Sequence, residues 1–428
     1  MVEGRAVRVC VAPDSFKGSL SAPAAAGAMA RGVLSAGARA CVRVELDEAP
    51  VADGGEGTVE AFTAAAGESA DRRESVVTGP TGRRVRAGWV VLREAGEHDR
   101  RAAGSAVVET ASAAGIGLLS EHERDPTRTT TRGLGELIAE AARSGVGRVV
   151  VGLGSSGTTD GGIGVGAALG WRFLDAAGAE VEPTGGGLMR IARVVPPTGG
   201  LVGERVRVEA MCDVENPLLG ERGSAAVFGP QKGASAGQVR ELERGLRNLV
   251  ERCRAAGVRV DPEEAGAGSA GGLGFGLRAF AGAVLRPGFA VVAEAVGLAE
   301  RVGRADVVLT GEGRVDETTL GGKVVAGVCA LIGRGAACGG REGGAGRPGV
   351  GPAASLREGL CGAAGGGGRA RRGVWVVCGA AWPDEAGAAE MLRGRGWPVV
   401  GVRTVRGDQG PGFERAAAAL EETVGGWG

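Results

Sequence analysis

The sequence predicts a doubly wound α/β fold built on parallel sheet, and three observations predict it. Apolar, strand-like runs alternate with helix-like runs along the chain. The same alternation returns near the end of the chain, where two strand-like runs flank a short helix. Glycine-rich polar clusters follow directly after several strands, and open parallel sheets bind ligands at those carboxyl ends.

The elements follow in order. "VRVCVA" reads as the first strand. "SAPAAAGAMARGVLSAG" reads as a helix, with Ser21 as N-cap and Pro23 in its first turn. "CVRVELDEAPVA" is the next strand, and "GGEGTVEAFTAAAG" a helix opened by glycines. Further strands are expected in "RAAGSAVVETA", "GRVVVGLG", "RVRVEAMCDV" and "ADVVLTGEG". Near the end, "GVWVVCGAA" and "WPVVGVRTV" flank the short helix "DEAGAAEMLRGRG". The stretch 333–373 is Gly/Ala/Arg-rich without sustained periodicity, so it reads as a flexible insertion. A basic RNA-binding arm is the other reading of it, but interleaved aromatics are lacking.

Composition narrows the chemistry. The 428 residues suffice for two or three domains, and the formal net charge of zero leaves no basic footprint for nucleic acid or an anionic membrane. No apolar run approaches the ~20 residues of a membrane span. The beginning lacks signal-peptide order, so the cytoplasm is the default expectation. Eight scattered cysteines form no CxxC pair and read as reduced thiols. There is no tyrosine, and the two histidines, His98 and His122, lie in charged, loop-like stretches. Proton transfer in such a chain falls to Asp, Glu or Lys.

Six clusters carry candidate chemistry. In "APDSFKGSLSA", Asp14, Ser15, Lys17 and Ser19 suit a carboxylate or phosphate at a helix N-terminus, or simply a cap and a surface lysine. In "VADGGEGT", Asp53 and Glu56 straddle two glycines and suit a base, a magnesium site or an ordinary turn. In "RVVVGLGSSGTTDGGIGVGAALG", Gly152, Gly154 and Gly157 spell G-x-G-x-x-G, with Asp175 about twenty residues on, so a nicotinamide oxidoreductase is a real rival. Yet "TTDGGIGVG" is a poor opening for the crossover helix, since each interior glycine costs about 1 kcal/mol against alanine. A loop cradling phosphate fits better, with Gly154, Ser155, Ser156, Thr158, Thr159 and Asp160.

The fourth cluster, "CDVENPLLGERGSAAVFGPQKGAS", offers Asp213, Asn216 and Lys232. The fifth, "GAGSAGGLGFGLRAF", is a small-residue loop running into a helix. The sixth, "VVLTGEGRVDETTLGGK", places Glu312, Arg314, Asp316 and Lys323 after a strand, suiting Mg²⁺ and phosphate together. Neither a G-x-x-x-x-G-K-[ST] loop nor the protein-kinase signature set occurs.

Read together and in this order, these stretches resemble the bacterial type I glycerate kinases. The likeness covers about residues 6–332 and, more weakly, 373–425. It is carried by "APDSFKGSLSA", "PVADGGEGT", "RDPTRTTTRGLGELI", "GLGSSGTTDGG", "CDVENPLLGERGSAAVFGPQKGA" and "LTGEGRVDETTLGGK". The resemblance implies ATP- and Mg²⁺-dependent phosphorylation of D-glycerate, usually to 2-phosphoglycerate, with the 3-kinase reaction as the alternative. It implies a discontinuous flavodoxin-like domain over 1–75 plus 285–428. A second α/β domain over 76–284 is inserted into it, and the substrates are expected in the cleft between them. Two departures stand out. Gly157 and Thr159 replace the alanine and asparagine usual in the third motif, and 333–373 is absent from typical members.

On that reading Lys17 and Arg314 are catalytic, and Asp14 or Asp53 takes the hydroxyl proton. Ser15, Ser19, Glu56, Asn216 and Lys232 contact substrate or the transferred group, and Gly154, Ser155, Ser156, Thr158 and Asp160 seat the nucleotide. Glu312 and Asp316, with Asp213, hold Mg²⁺. A homo-oligomer is allowed, and a binding protein that has lost turnover is the third reading.

Overall fold

The computed structural model describes residues 6–16, 19–93, 104–199, 202–204, 206–321, 323–337, 373–381, 384–393, 395 and 399–404. His98, Lys17 and all but the two ends of the 333–373 stretch lie outside the described residues. The chain forms two compact units, one from Met1–Asp53 with Phe289–Gly428, the other from Gly54–Gly288.

The first unit opens with β1 (Val7–Pro13), α1 (Ala22–Arg39) and β2 (Val44–Glu48). The second unit begins with α2 (Thr58–Ala66), then β3 (Ala70–Thr78), β4 (Arg84–Leu92) and β5 (Ser105–Glu109). It continues through α3 (Thr110–Ala114), α4 (Arg132–Arg143), β6 (Arg148–Gly152), α5 (Ile163–Ala168), β7 (Arg172–Leu174), β8 (Arg193–Val195) and β9 (Arg207–Met211). The helices α6 (Ser224–Phe228), α7 (Ala236–Ala255) and α8 (Ser269–Gly276) and the strand β10 (Val284–Arg286) complete it. The first unit resumes with α9 (Gly288–Ala295), α10 (Leu298–Arg304), β11 (Val307–Val315), α11 (Val324–Ala337), β12 (Gly373–Ala381), α12 (Glu385–Arg393) and β13 (Val399–Thr404).

In the first unit the order is β13-β12-β11-β1-β2, and every pairing is parallel. The chain steps outward from β1 to β2, then returns to the other side of β1 for β11, β12 and β13. This is the flavodoxin-like order, with its switch point between β1 and β11. The helix α1 follows the sequence expectation: Ser21 is extended at the N-cap, Pro23 lies in the first turn and Arg39 closes the last. Its alanine-rich face, with Met29 and Val33, packs on Val9, Val11, Leu309 and Trp375.

The second unit has a six-stranded sheet, β10-β9-β6-β5-β4-β3. Four strands run parallel, but β3 and β4 pair antiparallel, and β4 pairs antiparallel with β5. The antiparallel hairpin is an addition to the parallel strands that the alternation of apolar runs predicts. The hairpin is hard to see in sequence because its outer face carries ion pairs such as Arg86–Glu74 at 2.6 Å rather than apolar residues. The units also divide at 53/54, not 75/76, because α2 and β3 pack with β4 rather than with the first sheet. The opposite boundary falls at 288/289 rather than 284/285, since β10 pairs with β9.

One core of this unit joins Trp89, Ala106, Val149, Val151 and Val208 on one sheet face to Leu134, Leu137 and Ile138 of α4. A second gathers Ile163, Trp171, Phe173, Leu188, Leu246 and Phe275 around Phe280, whose ring meets Trp171 and Phe173 edge-on at 5.2 and 5.3 Å. The helix α7 is held by a capping box between Ser235 and Gln238. No helix among the described residues is long and apolar enough to cross a membrane.

Trp89 is 1% exposed, and its Nε1 donates to Ser75 Oγ at 2.9 Å. Trp89→Ala is expected to lower unfolding free energy by about 3–5 kcal/mol, through lost burial and an open cavity. A urea melt followed by circular dichroism checks it.

Candidate active site

At the switch point of the first unit, acids crowd the carboxyl ends of three strands. Pro13 and Gly311 are register partners, Asp14 N–H donates to Gly311 O at 2.8 Å, and Val51 N–H donates to Pro13 O at 3.0 Å. The backbone therefore sets Asp14, Glu312 and the approach to Asp53 side by side. Glu312 is buried and accepts from Thr319 Oγ1 at 2.6 Å, while Asp316 N–H donates to that same Oγ1 at 3.1 Å. Burial pushes the Glu312 carboxyl up to about 7; Thr319 and Lys323 oppose the rise, and Asp53 and Asp316 add to it. Asp14 is also buried, with its Oδ1 accepting from Ser15 N–H at 2.6 Å.

The loop after β1 closes on itself before the helix that Ser21 caps. Phe16 and Leu20 exchange backbone hydrogen bonds of 2.8 and 2.9 Å, and α1 starts only at Ala22. Ser15 and Ser19 are half-buried beside that closed turn. Arg314 is exposed and pairs with Asp316 at 3.2 Å.

In the second unit three of the motifs meet. Gly54 O accepts from Gly154 N–H at 3.1 Å. A Cβ on Gly54 (φ +92°) would lie 2.7 Å from Met211 Cβ, and one on Gly152 would lie 2.9 Å from Gly54 O. The segments 54–57, 152–156 and 211–213 thus converge at the carboxyl ends of β5, β6 and β9. Glu56 and Ser155 are exposed there. Ser155 holds a left-handed conformation (φ +59°) that a residue with a Cβ seldom adopts.

The rest of the glycine loop turns inward, which corrects its expected role. Thr158 and Asp160 are 0% exposed and Ser156 is buried. Asp160 accepts from Thr131 N and Oγ1, both at 2.8 Å, from Gly162 N at 2.9 Å and from Gly164 N at 3.2 Å. Burial raises its carboxyl, and those donors pull it back. Lys232, also buried, donates to Ser156 Oγ at 2.8 Å and to Thr158 O at 2.6 Å. Burial pulls its ammonium down to about 7, and the charge of Asp160 opposes that fall. Ser156, Thr158, Asp160 and Lys232 therefore build the loop; only Gly154 and Ser155 remain for a ligand to reach.

The third motif does not carry the dinucleotide geometry either. The helix α5 begins at Ile163, not at the third glycine. A Cβ on Gly157 would meet Leu119 Cδ1 at 2.8 Å, so glycine there serves packing. Asp175 sits in a turn, accepting from Ala177 N and Ala179 N at 2.9 Å. Asn216 donates to Arg222 O at 2.8 Å, and Asp213 Oδ1 accepts from Gly288 N–H at 2.8 Å. Among the described residues no group of three or more His, Cys, Asp or Glu is arranged to hold a metal ion. His122 lies in a short exposed turn beside Ser120 Oγ, as its charged context suggested. Cys10, Cys41, Cys212, Cys253 and Cys329 are free thiols.

One buried acid escaped the sequence reading. Glu109, the last residue of β5, accepts from Val59 N–H and is pushed up to about 7 by burial, with Glu60 and Glu56 adding to the rise. An acid closing an apolar strand was the only available signal.

The sequence pattern of the glycerate kinase family matches residues 9–338. The chain belongs to that family. The glycerate kinase of Bacillus subtilis is 42% identical over 326 residues, covering 75% of this chain and 81% of that protein. The glycerate 2-kinase of Escherichia coli is 40% identical over the same length and coverage. A crystal structure from Salmonella typhimurium LT2, carrying a provisional glycerate kinase 2 assignment, superposes with a TM-score of 0.72 at 32% identity, covering 99% of this chain and 97% of that one. The enzyme is a glycerate kinase, acting on small molecules with a nucleotide as phosphoryl donor, and the oxidoreductase reading falls away.

Two outcomes follow for this glycerate kinase. Lys232→Met removes the cation facing buried Asp160 and the donor to Thr158 O, so unfolding free energy should fall by about 3–5 kcal/mol, measured by urea titration. Glu109 titrates near 7 when folded, against an ordinary value of 4.5. The folded state therefore favours the protonated form, and its stabilisation is complete below pH 4.5 and lost as pH rises through about 7. The stability of wild type relative to Glu109→Gln should fall by up to about 3 kcal/mol across that window, read from paired melts.

Proposed function

We propose that this glycerate kinase transfers the γ-phosphoryl group of ATP to the 2-hydroxyl of D-glycerate, with Mg²⁺ as its cation, in the cytoplasm. The observation that carries the reading is the acid cluster at the β1/β11 switch point, where Glu312 is crowded by Asp53 and Asp316 beside Asp14. Carboxylates held this close favour a divalent cation, and Mg²⁺ typically takes one or two protein carboxylates plus phosphate oxygens. The donor set therefore fits: Glu312 and Asp316 would hold the ion, which when bound neutralises charge on the donor's phosphates. The name of the Escherichia coli relative, glycerate 2-kinase, supports the 2-hydroxyl.

Asp53 is half-buried and takes the hydroxyl proton as the oxygen attacks phosphorus; the O–P bond to ADP breaks as the new one forms. Asp14, spent in part on Ser15 N–H, fixes the loop after β1. Ser15, Ser19 and Lys17 hold the glycerate carboxylate. Arg314 meets charge developing on the transferred group.

An ADP-release assay with D-glycerate, ATP and Mg²⁺ tests the reading, followed by phosphorus NMR of the product. The expected result is stoichiometric ADP and a phosphorus resonance split by the single C2 proton. A resonance split by the two C3 protons assigns the 3-kinase reaction, and no ADP release overturns the proposal. Asp53→Asn should lower kcat by about 10²–10⁴-fold with an unchanged melting temperature.

A further inference from the structure

The start of α2 lacks a cap of its own. Its N-cap residue is Gly57, in a left-handed conformation (φ +91°), and no side chain of that position closes the first turn. Thr58 does not help, because its hydroxyl donates to Gly55 O at 2.7 Å. First-turn amides left without acceptors cost stability and let a helix fray. The acceptor comes from another strand: Glu109 reaches in from the end of β5, taking Val59 N–H, with Gly57 N–H also directed to it.

The position is an expensive one for an acid. Glu109 is 8% exposed, and the titratable groups facing it are Glu60 on α2 and Glu56 just before it. An uncharged residue would avoid that burial and repulsion. What the carboxyl offers instead is posture. Gly152, the register partner of Glu109 on β6, places its α-carbon against both segments: a Cβ there would lie 3.7 Å from Glu109 Cγ and 2.9 Å from Gly54 O. Next to Glu109, Thr110 Oγ1 donates to Gly152 O at 2.7 Å. Glu109 therefore pins α2 at the point where the 54–57 segment is wedged against β6, and Asp53 is the next residue along the chain.

We propose that Glu109 is a positioning residue for phosphoryl transfer: by capping α2 it fixes the Asp53–Glu56 segment and so the direction in which Asp53 presents its carboxylate. This rests on the reading that Asp53 takes the proton of glycerate. A misplacement of about 1 Å at such a group is enough to cost on the order of 10²-fold in rate.

The test compares Glu109→Ala, Glu109→Asp and Glu109→Gln in the full chain by steady-state kinetics, together with hydrogen exchange at the amides of residues 57–60. Glu109→Ala should lower kcat by at least about tenfold, with KM for ATP little changed, and exchange at Gly57 and Val59 should quicken. Glu109→Gln keeps an oxygen that accepts from Val59, so it should restore most of kcat and the slow exchange. Glu109→Asp withdraws the oxygen by one methylene and should behave like the alanine variant, which decides the matter if that variant does not fold. Wild-type kcat in a variant whose helix start exchanges quickly overturns the positioning role. So does a glutamine variant with slow exchange and the low kcat of alanine. Unchanged exchange in Glu109→Ala removes the clamp itself. A wild type that releases no ADP from ATP and D-glycerate removes instead the substrate reading, while the exchange data still report on the clamp.

Discussion

The interior charge of Asp160 is the constraint around which the second unit is arranged. A carboxylate removed from water is tolerable only when its lone pairs are filled. Here four donors do so: two from Thr131 and one each from Gly162 and Gly164. Those donors come from the entrance to α4 and the entrance to α5, so one side chain ties two helix starts to one loop. Thr131 passes the link on, its Oγ1 accepting from Val165 N–H at 3.1 Å. Lys232 then joins the loop from below, bridging Ser156 Oγ and Thr158 O. Glycines dominate the region because the chains press together: a Cβ on Gly161 would lie 2.7 Å from Leu249 Cδ2.

This network explains which parts of the site were legible in the sequence. Alternation of apolar runs disclosed the sheet, and acids after β1 and β11 were visible because a strand end is a fixed address. Glu312 and Asp316 could be read as a pair from spacing alone, and both belong to the crowded group at the switch point. The direction a loop faces has no such signature. A serine, threonine and glycine run that wraps a buried acid has the same letters as one that wraps a phosphate. Ser156, Thr158, Asp160 and Lys232 were assigned outward for that reason, and burial assigns them inward. Glu109 was illegible for the opposite reason: its partner is a backbone amide 50 positions away, which no residue type announces.

Support for buried acids varies across the chain. In the second unit Glu109 is pushed up to about 7, whereas Asp160 and Glu209 draw several donors from within the unit. Glu209 shows it most fully, since burial would raise it but Arg148 at 2.5 Å, Arg286 at 3.2 Å and Arg207 at 2.6 Å hold it low. In the first, Glu312 has Thr319 and Lys323 as support yet remains pushed up to about 7, with Asp53 and Asp316 both adding negative charge.

That contrast points to a division of labour. Chemistry on a triphosphate needs charge where phosphate oxygens and a metal ion can meet it, and a rigid frame that costs no reorganisation when they arrive. The first unit supplies the charge at a switch point, where adjacent strands diverge and backbone leaves room for a ligand. The second supplies rigidity, with Lys232 and Asp160 tied into its own interior. Asp53 stands at the junction of these roles, since its charge acts on Glu312 while its chain neighbour Gly54 is wedged against Met211 and Gly154. A loop at that junction cannot be left to find its own conformation. Its glycines would leave it free to move, and a cap from outside the loop holds an acid steady there.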